Sequence, residues 1–369
     1  MPKTTQTVLE IDLNALANNY QYLVSKVKPG TKFMAVVKAY GYGSDAVIIA
    51  KELVGLGIDY LAVAYTNEGE TLRDAKIETP ILVLHPLPVN FEKIVSRCLE
   101  PSIYSRKMLE EFIHFAEKNK QTNYPIHLKF NTGLNRLGFV ENDLIFIDNL
   151  LSKTESVKVK SMFSHLAASE DLNEKEFTLN QIEAFNRISE KLISKIGYTP
   201  LLHCANTSGI VNYPDAHFNM VRSGIGLYGF GNDKKENSHL KPIATLKTII
   251  SQIHSIKKGE SVGYNRGLIA EQDTRSATLP IGHADGISRS YGKGKGWVTI
   301  NGEKAPILGN VCMDMIMVNV TNIDCEEGDE AIVFGCSNTA EELSAAINSI
   351  SYELITSVSQ RIKRVICRK

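Results

Sequence analysis

Between residues 30 and 230 eight short apolar runs recur, separated by longer mixed segments. They are KFMAVVK (32–38), YLAVAY (60–65), ILVLH (81–85), PSIYS (101–105), IHLKFNT (126–132), VKVKSMFSHL (157–166), LLHCANT (201–207) and MVRSGIGLYG (220–229). Runs of this length, rich in branched and aromatic residues, predict buried strands. The intervening segments carry apolar residues at helical spacing, as in Ala46, Ile49, Ala50 and Leu53, or Ile182, Phe185, Ile188 and Leu192. Such alternation predicts parallel βα units, and eight of them predict an α/β fold closed as a (β/α)8 TIM-type barrel.

The pattern changes after the expected loop GNDKKENSH (231–239). ATLKTIISQIHSI, WVTINGE and AIVFG read as short strands with glycine turns, followed by a helical stretch, AEELSAAINSI and YELITSVSQRI, and a last strand in RVICRK. Two units are therefore expected: a barrel over 1–235 and a mainly-β C-terminal domain over 236–369, with roughly the first ten residues placed to pair with the β domain. A length of 369 residues suits a barrel of about 250 residues plus a smaller domain.

Composition narrows the ligand. Lys and Arg total 41 and Asp and Glu total 41, so no net field favours nucleic acid or an anionic membrane. The polar start MPKTTQTVLE and the lack of an apolar run of about 18 residues predict no signal peptide and no membrane span, hence a cytoplasmic protein acting on a small molecule. Six cysteines, Cys98, Cys204, Cys312, Cys325, Cys336 and Cys367, form no CxxC pair and are read as reduced, buried thiols.

A barrel places its chemistry at the C-terminal ends of its strands. There the sequence puts Lys38, Lys129 with Arg136 beyond it, His165, Asn206, Thr207 and Arg222. These groups suit an anionic ligand. Lys38 is the sharpest of them: it follows AVV in a run fit for a buried strand, where desolvation favours the neutral, nucleophilic amine. Alone, it reads more readily as a lysine whose ammonium reaches water at the strand end; the two glycines that follow in AVVKAYGYG, which let backbone approach a ligand, change that.

AVVKAYGYG, LKFNTGLNRLGF (128–139), FSHLAAS (163–169), HCANTSGI (203–210), MVRSGIGLYG, VGYN (262–265), IGHADG (281–286), GNVCMDM (309–315) and ISYELI (350–355) together resemble the alanine racemase family over nearly the whole chain. The resemblance implies pyridoxal 5′-phosphate (PLP) held by Lys38 as a Schiff base, and interconversion of L- and D-alanine by two bases, one on each face of the substrate. D-alanine for peptidoglycan synthesis is the family role. By the same resemblance Lys38 is expected as the first base and Tyr264 as the second, reaching the site from the partner subunit of a homodimer.

The same resemblance assigns His165 and Arg222 to a hydrogen-bonding chain behind Tyr264, with Arg222 facing the pyridine nitrogen. Because Arg keeps its proton, that nitrogen stays unprotonated and side reactions are limited. The other cofactor-binding positions are Tyr42, Asn206, Thr207, Gly224, Ile225 and Tyr352. Arg136, Met313 and Asp314 resemble residues that bind the substrate carboxylate, and Lys129 corresponds to a lysine often carbamylated, which would orient Arg136. Tyr264 and Tyr352 crowd the side-chain pocket, so a methyl group fits.

Each residue also has an ordinary reading: His165 a satisfied strand-end histidine, Tyr264 a loop aromatic, Arg136 a salt-bridge partner, Met313 core filling, Asp314 a turn residue. Their joint occurrence favours the site. Departures from the family strings are Asn131, His283 at the substrate entrance, Thr207, Ser223 and Lys363; none removes a catalytic group. YGKGKGW (291–297) lacks the GxxxxGK[ST] phosphate-loop pattern and is read as a hairpin turn; no metal-site motif occurs. Other readings are a racemase of serine or another amino acid, a non-catalytic PLP carrier, and a PLP decarboxylase.

Overall fold

The computed structural model describes residues 4–231, 234–336 and 338–369. The chain opens with β1 (Val8–Asp12), which runs straight into α1 (Leu13–Ser25). Asp12 caps that helix, its carboxylate accepting from the backbone N–H groups of Asn14 and Ala15. The barrel strands follow as β2 (Lys32–Val36), β3 (Tyr60–Val63), β4 (Ile81–Val83), β5 (Glu100–Ile103), β6 (Tyr124–Lys129), β7 (Val157–Phe163), β8 (Leu201–His203) and β9 (Met220–Ser223). Between them lie α2 (Lys38–Tyr42), α3 (Ala46–Gly55), α4 (Thr66–Asp74), α5 (Phe91–Ser96), α6 (Arg106–Lys118), α7 (Leu144–Leu151), α8 (Lys175–Ile196) and α9 (Thr207–Asn212).

The eight strands form one parallel sheet in the order β8-β7-β6-β5-β4-β3-β2-β9. Its ends meet where Asn219 N–H donates to Leu202 O (3.1 Å) and Arg222 N–H to Ala205 O (3.0 Å). Helix α3 turns Ala46, Ile49, Ala50 and Leu53 onto the sheet, and α8 buries Phe185, Ile188 and Leu192. Inside the barrel Met34, Tyr60, Ala62, Leu82 and Met220 fill one layer, leaving the opposite end for the site.

The second sheet has nine strands in the order β11-β14-β17-β16-β15-β18-β10-β1-β19. Its members are β10 (Ala244–Ile249), β11 (Gln252–Ile256), β14 (Thr274–Leu279), β15 (Trp297–Ile300), β16 (Glu303–Leu308), β17 (Ile316–Asn319), β18 (Glu330–Phe334) and β19 (Lys363–Cys367), together with β1. β12 (Ser261–Val262) and β13 (Leu268–Ile269) form a separate small hairpin around Tyr264. β1 pairs antiparallel with β10 and parallel with β19, so one segment leaves this sheet and enters the first barrel helix. Beneath it the partly buried Glu10 carboxylate takes Lys247 at 3.2 Å and Lys369 at 2.7 Å.

Several local expectations are corrected. The stretch 231–239 holds a helical turn, α10 (Lys234–Asn237); Asn232 and Asp233 lie outside the described residues. The glycine-rich run 291–297 is not a hairpin turn. The hairpin lies at Asn301-Gly302 between β15 and β16, where both residues take positive φ (49° and 86°) as a tight two-residue turn requires. Of the cysteines expected to be buried, Cys204 and Cys325 are, Cys312 and Cys367 are half-buried, and Cys98 and Cys336 are exposed. After β18 come α11 (Ala340–Ala345) and α12 (Ser351–Ser357), and α12 packs on α2, bringing the β-rich part of the chain to the barrel mouth.

Candidate functional site

The strand β2 stops at Val36, so Lys38 stands two residues beyond it, not at its end as expected. Lys38 opens a helical turn in which Ala39, Tyr40, Gly41 and Tyr42 all have φ between 50° and 62°. Left-handed backbone costs an L-residue roughly 1–2 kcal/mol, so the turn needs outside support. Glu68 supplies part of it, its carboxylate accepting from Ala39 N–H (2.6 Å) and from the N–H groups of Ala64 and Tyr65. Arg364 supplies the rest by donating to Gly43 O (2.8 Å) and lying over the Tyr40 ring.

A cavity of about 450 Å³ opens above this turn. Lys38, Tyr42, Lys129, Arg136, His165, Asn206, Thr207, Arg222, Gly224, Ile225 and Tyr352 all line it. Eleven of the fourteen residues selected from the sequence therefore meet in one place. Lys38, Lys129, Arg136 and Arg222 are cationic, and no carboxylate is among the described lining residues. That charge set fits a small anion, and the volume falls in the range of ordinary cofactor sites.

One wall is built for close approach. Tyr42 is stacked on Tyr228 (ring centroids 4.3 Å apart), and its hydroxyl comes so near Gly224 that a Cβ there would lie 2.2 Å from it. Thr207 Oγ1 lies 3.0 Å from Ser223 Oγ, so the serine departure after Arg222 supports the hydroxyl of the neighbouring departure. Asn206 caps α9 by accepting from Gly209 N–H (2.9 Å) and holds Ser169 (2.8 Å). Burial pushes the Tyr42 hydroxyl up and Tyr352 up to about 12, so both stay protonated as neutral donors. Backbone at Gly224 and Ile225 completes a cradle suited to a phosphate.

The cations are tuned by crowding. Desolvation, helped by Arg136, lowers the Lys38 ammonium below the ordinary lysine value. Lys129, the last residue of β6, is lowered to about 8 by burial and by Arg136, Arg222 and Lys38. It is buried, and among the described residues it has no ion-pair partner. Arg222 is buried too and lowered to about 10 by desolvation, still charged at neutral pH. Its Nη2 donates to Ser164 O (2.7 Å) and to His165 Nδ1 (3.2 Å). Since Arg only donates, His165 carries its proton on Nε2. Desolvation, then the nearby cations, hold His165 well below its ordinary value, so it is neutral.

Tyr264, Met313 and Asp314 are not at this mouth. They line a second, open cavity of about 540 Å³ on the β-rich part of the chain. Tyr264 is 75% exposed and Met313 59% exposed, each projecting from a pinned loop. Asn310 Nδ2 donates to Tyr264 O (3.0 Å), while Ala284 N–H donates to Met313 O (3.0 Å). Asp314 takes Arg361 at 2.7 Å, and the same guanidinium holds Asp285. His283 is exposed beside this loop, donating its N–H to Cys312 O (2.9 Å).

Sequence reasoning did not single out Glu68, Arg364 or His203. Glu68 lies four residues after Ala64 at the end of a predicted strand, a helix-start signal. No comparable local signal marks the other two.

Models of the alanine racemase N-terminal domain and C-terminal domain match residues 11–231 and 243–366. Alanine racemase 1 of Clostridium acetobutylicum is 34% identical over 96% of this chain and 94% of its own length. Among solved structures, alanine racemase of Clostridium difficile 630 superposes with a TM-score of 0.92 at 32% identity, covering 99% of this chain and 97% of its own. Alanine racemase from Bartonella henselae with covalently bound pyridoxal phosphate gives 0.90 at 30% identity, covering 99% and 100%.

Proposed function

The chain belongs to the alanine racemase family, and from that premise we propose that its active site is completed by a second copy of itself. The enzyme interconverts L- and D-alanine, and its cofactor is PLP. When bound, PLP supplies an electron-accepting ring that acidifies the α-C–H of an attached amino acid. The residues present fit it. Lys38 would hold it covalently; Tyr42, Thr207, the backbone at Gly224 and Ile225, and Tyr352 would hold the phosphate; Asn206 and His165 would line it. Arg222 would face the ring nitrogen as a permanent donor.

The chain's own groups then move the protons. Lys38 Nζ, with its cationic form disfavoured, takes or returns the α-proton on one face, and Tyr264 Oη serves the other. His165, neutral and donating from Nε2, and Arg222 behind it form the polar chain that Tyr264 joins. Arg136 and the Met313–Asp314 loop take the substrate carboxylate, with Arg361 fixing Asp314. Carbamylated Lys129 would replace a cation by an anion facing Arg136. Residues 1–235 act as the cofactor-holding unit and 236–369 as the unit that reaches the partner. D-alanine for peptidoglycan, made in the cytoplasm, is the proposed use.

The observation that carries this reading is the separation of the two residue sets: eleven line the barrel cavity, while Tyr264, Met313 and Asp314 face solvent around another. A homodimer bringing the second cavity over the first joins them. Tyr264→Phe is expected to lower alanine racemisation by about 10²–10⁴ while cofactor still reduces onto Lys38 with borohydride. Undiminished racemisation in that variant would remove Tyr264 from the reaction.

A further inference from the structure

Arg222 is a buried cation without a carboxylate at salt-bridge distance among the described residues. A buried charge left unpaired is costly, so its compensation has to arrive by another route. The route runs through the barrel interior. Arg222 Nη1 meets His203 Nδ1 at 2.5 Å, and His203 Nε2 meets Ser161 Oγ at 2.9 Å. Ser161 Oγ meets His127 Nδ1 at 2.6 Å, and His127 Nε2 meets Glu100 Oε2 at 2.6 Å. The members come from β9, β8, β7, β6 and β5, one residue from each successive strand. His127, Ser161 and His203 are fully buried.

With both imidazoles neutral, the two ends set the direction of every bond between them. Arginine only donates, so His203 Nδ1 must accept and its proton sits on Nε2, pointing to Ser161. A carboxylate only accepts, so His127 carries its proton on Nε2, leaving Nδ1 to accept the Ser161 hydroxyl. All four bonds then run the same way, from Arg222 to Glu100. We propose that Glu100, on the far side of the barrel interior, is a positioning residue for Arg222, acting as its remote counter-anion through this one-way chain. Burial, and then the nearby Glu100 carboxylate, hold the Tyr60 hydroxyl well above its ordinary value, so it stays protonated beside the end of the chain. The proposal rests on the reading that Arg222 faces the cofactor ring. Aligned hydrogen bonds polarise one another, so the anion at one end strengthens the acceptor that orients the guanidinium at the other.

The test uses holoenzyme labelled with 15N-histidine. In the wild type His203 and His127 are expected as neutral imidazoles protonated on Nε2. Glu100→Gln removes the charge yet keeps an acceptor oxygen, and Ser161→Ala cuts the chain in its middle. Each is expected to lower kcat for alanine by about 10-fold while KM changes by less than about 2-fold, the pattern of a lost transition-state contribution. Glu100→Gln is also expected to shift the His127 Nε2 resonance, as a charge-assisted bond becomes a neutral one. A purely structural role would lower thermal stability and leave kcat unmoved. Wild-type His203 protonated on Nδ1 would overturn the proposal even if neither variant folded. So would wild-type kcat in both variants; if Arg222→Lys still impaired the enzyme in that case, the role of Arg222 would stand and only the chain would fall.

Discussion

Lys129 shows how neighbours decide what a side chain can do. Its amine is lowered to about 8 because burial and three nearby cations all disfavour the ammonium. Only the neutral amine attacks carbon dioxide, losing a proton as the carbamate forms, so modification should increase as pH rises through about 8. With 13C-bicarbonate, a carbamate carbon resonance is expected to grow over that interval and to be absent from Lys129→Ala. A signal that persists in the variant would place the carbamate elsewhere. The residue scale is also where the sequence was most and least legible. Lys38 stood out because a lysine interrupts a buried apolar run. His203, in contrast, lies within the quoted HCANTSGI string yet carries no local mark of its role. Its meaning comes from partners at 161 and 222, on other strands.

At the scale of elements, the turn after β2 is the feature that hydrophobic patterning could not supply. AVVKAY reads as one continuous strand, whereas the chain leaves the sheet at Val36 and takes four left-handed residues in succession. The reason lies in tertiary supports: Glu68 on the following βα unit and Arg364 near the C-terminus, over three hundred residues away along the sequence. The barrel strands were legible because each is a short, nearly continuous apolar run buried on both faces. The wall opposite, after β9, makes a sharper demand. A Cβ at Gly224 would lie 2.2 Å from the Tyr42 hydroxyl. Gly224→Ala is therefore expected to fold but to displace Tyr42, weakening PLP binding by about tenfold in a spectroscopic titration of apoenzyme, roughly 1.4 kcal/mol. Unchanged affinity would mean that this wall does not hold the phosphate.

At the scale of the whole molecule, one chain presents two separate cavities, which the proposed dimer would join. The barrel mouth gathers cations and neutral donors, and the β-rich sheet displays Tyr264 on a loop held by Asn310. The sequence could name residues around both cavities, because each lies in a distinctive string, but it could not place them in space: the proposed sharing between subunits leaves no periodicity within one chain. Tyr352 bridges the two regions, since α12 packs on α2 and brings its phenol into the barrel cavity of the same chain. Sharing can be read directly by mixing two inactive variants, Lys38→Ala and Tyr264→Phe, under conditions that exchange subunits. In a mixed dimer one site would combine Lys38 from one protomer with Tyr264 from the other. With random exchange about half the dimers are mixed and one of their two sites is intact, so alanine racemisation is expected to return to about one quarter of the wild-type rate. If Tyr264 instead served the Lys38 of its own chain, no site in the mixture would be whole, and the mixed sample would remain as inactive as its parents.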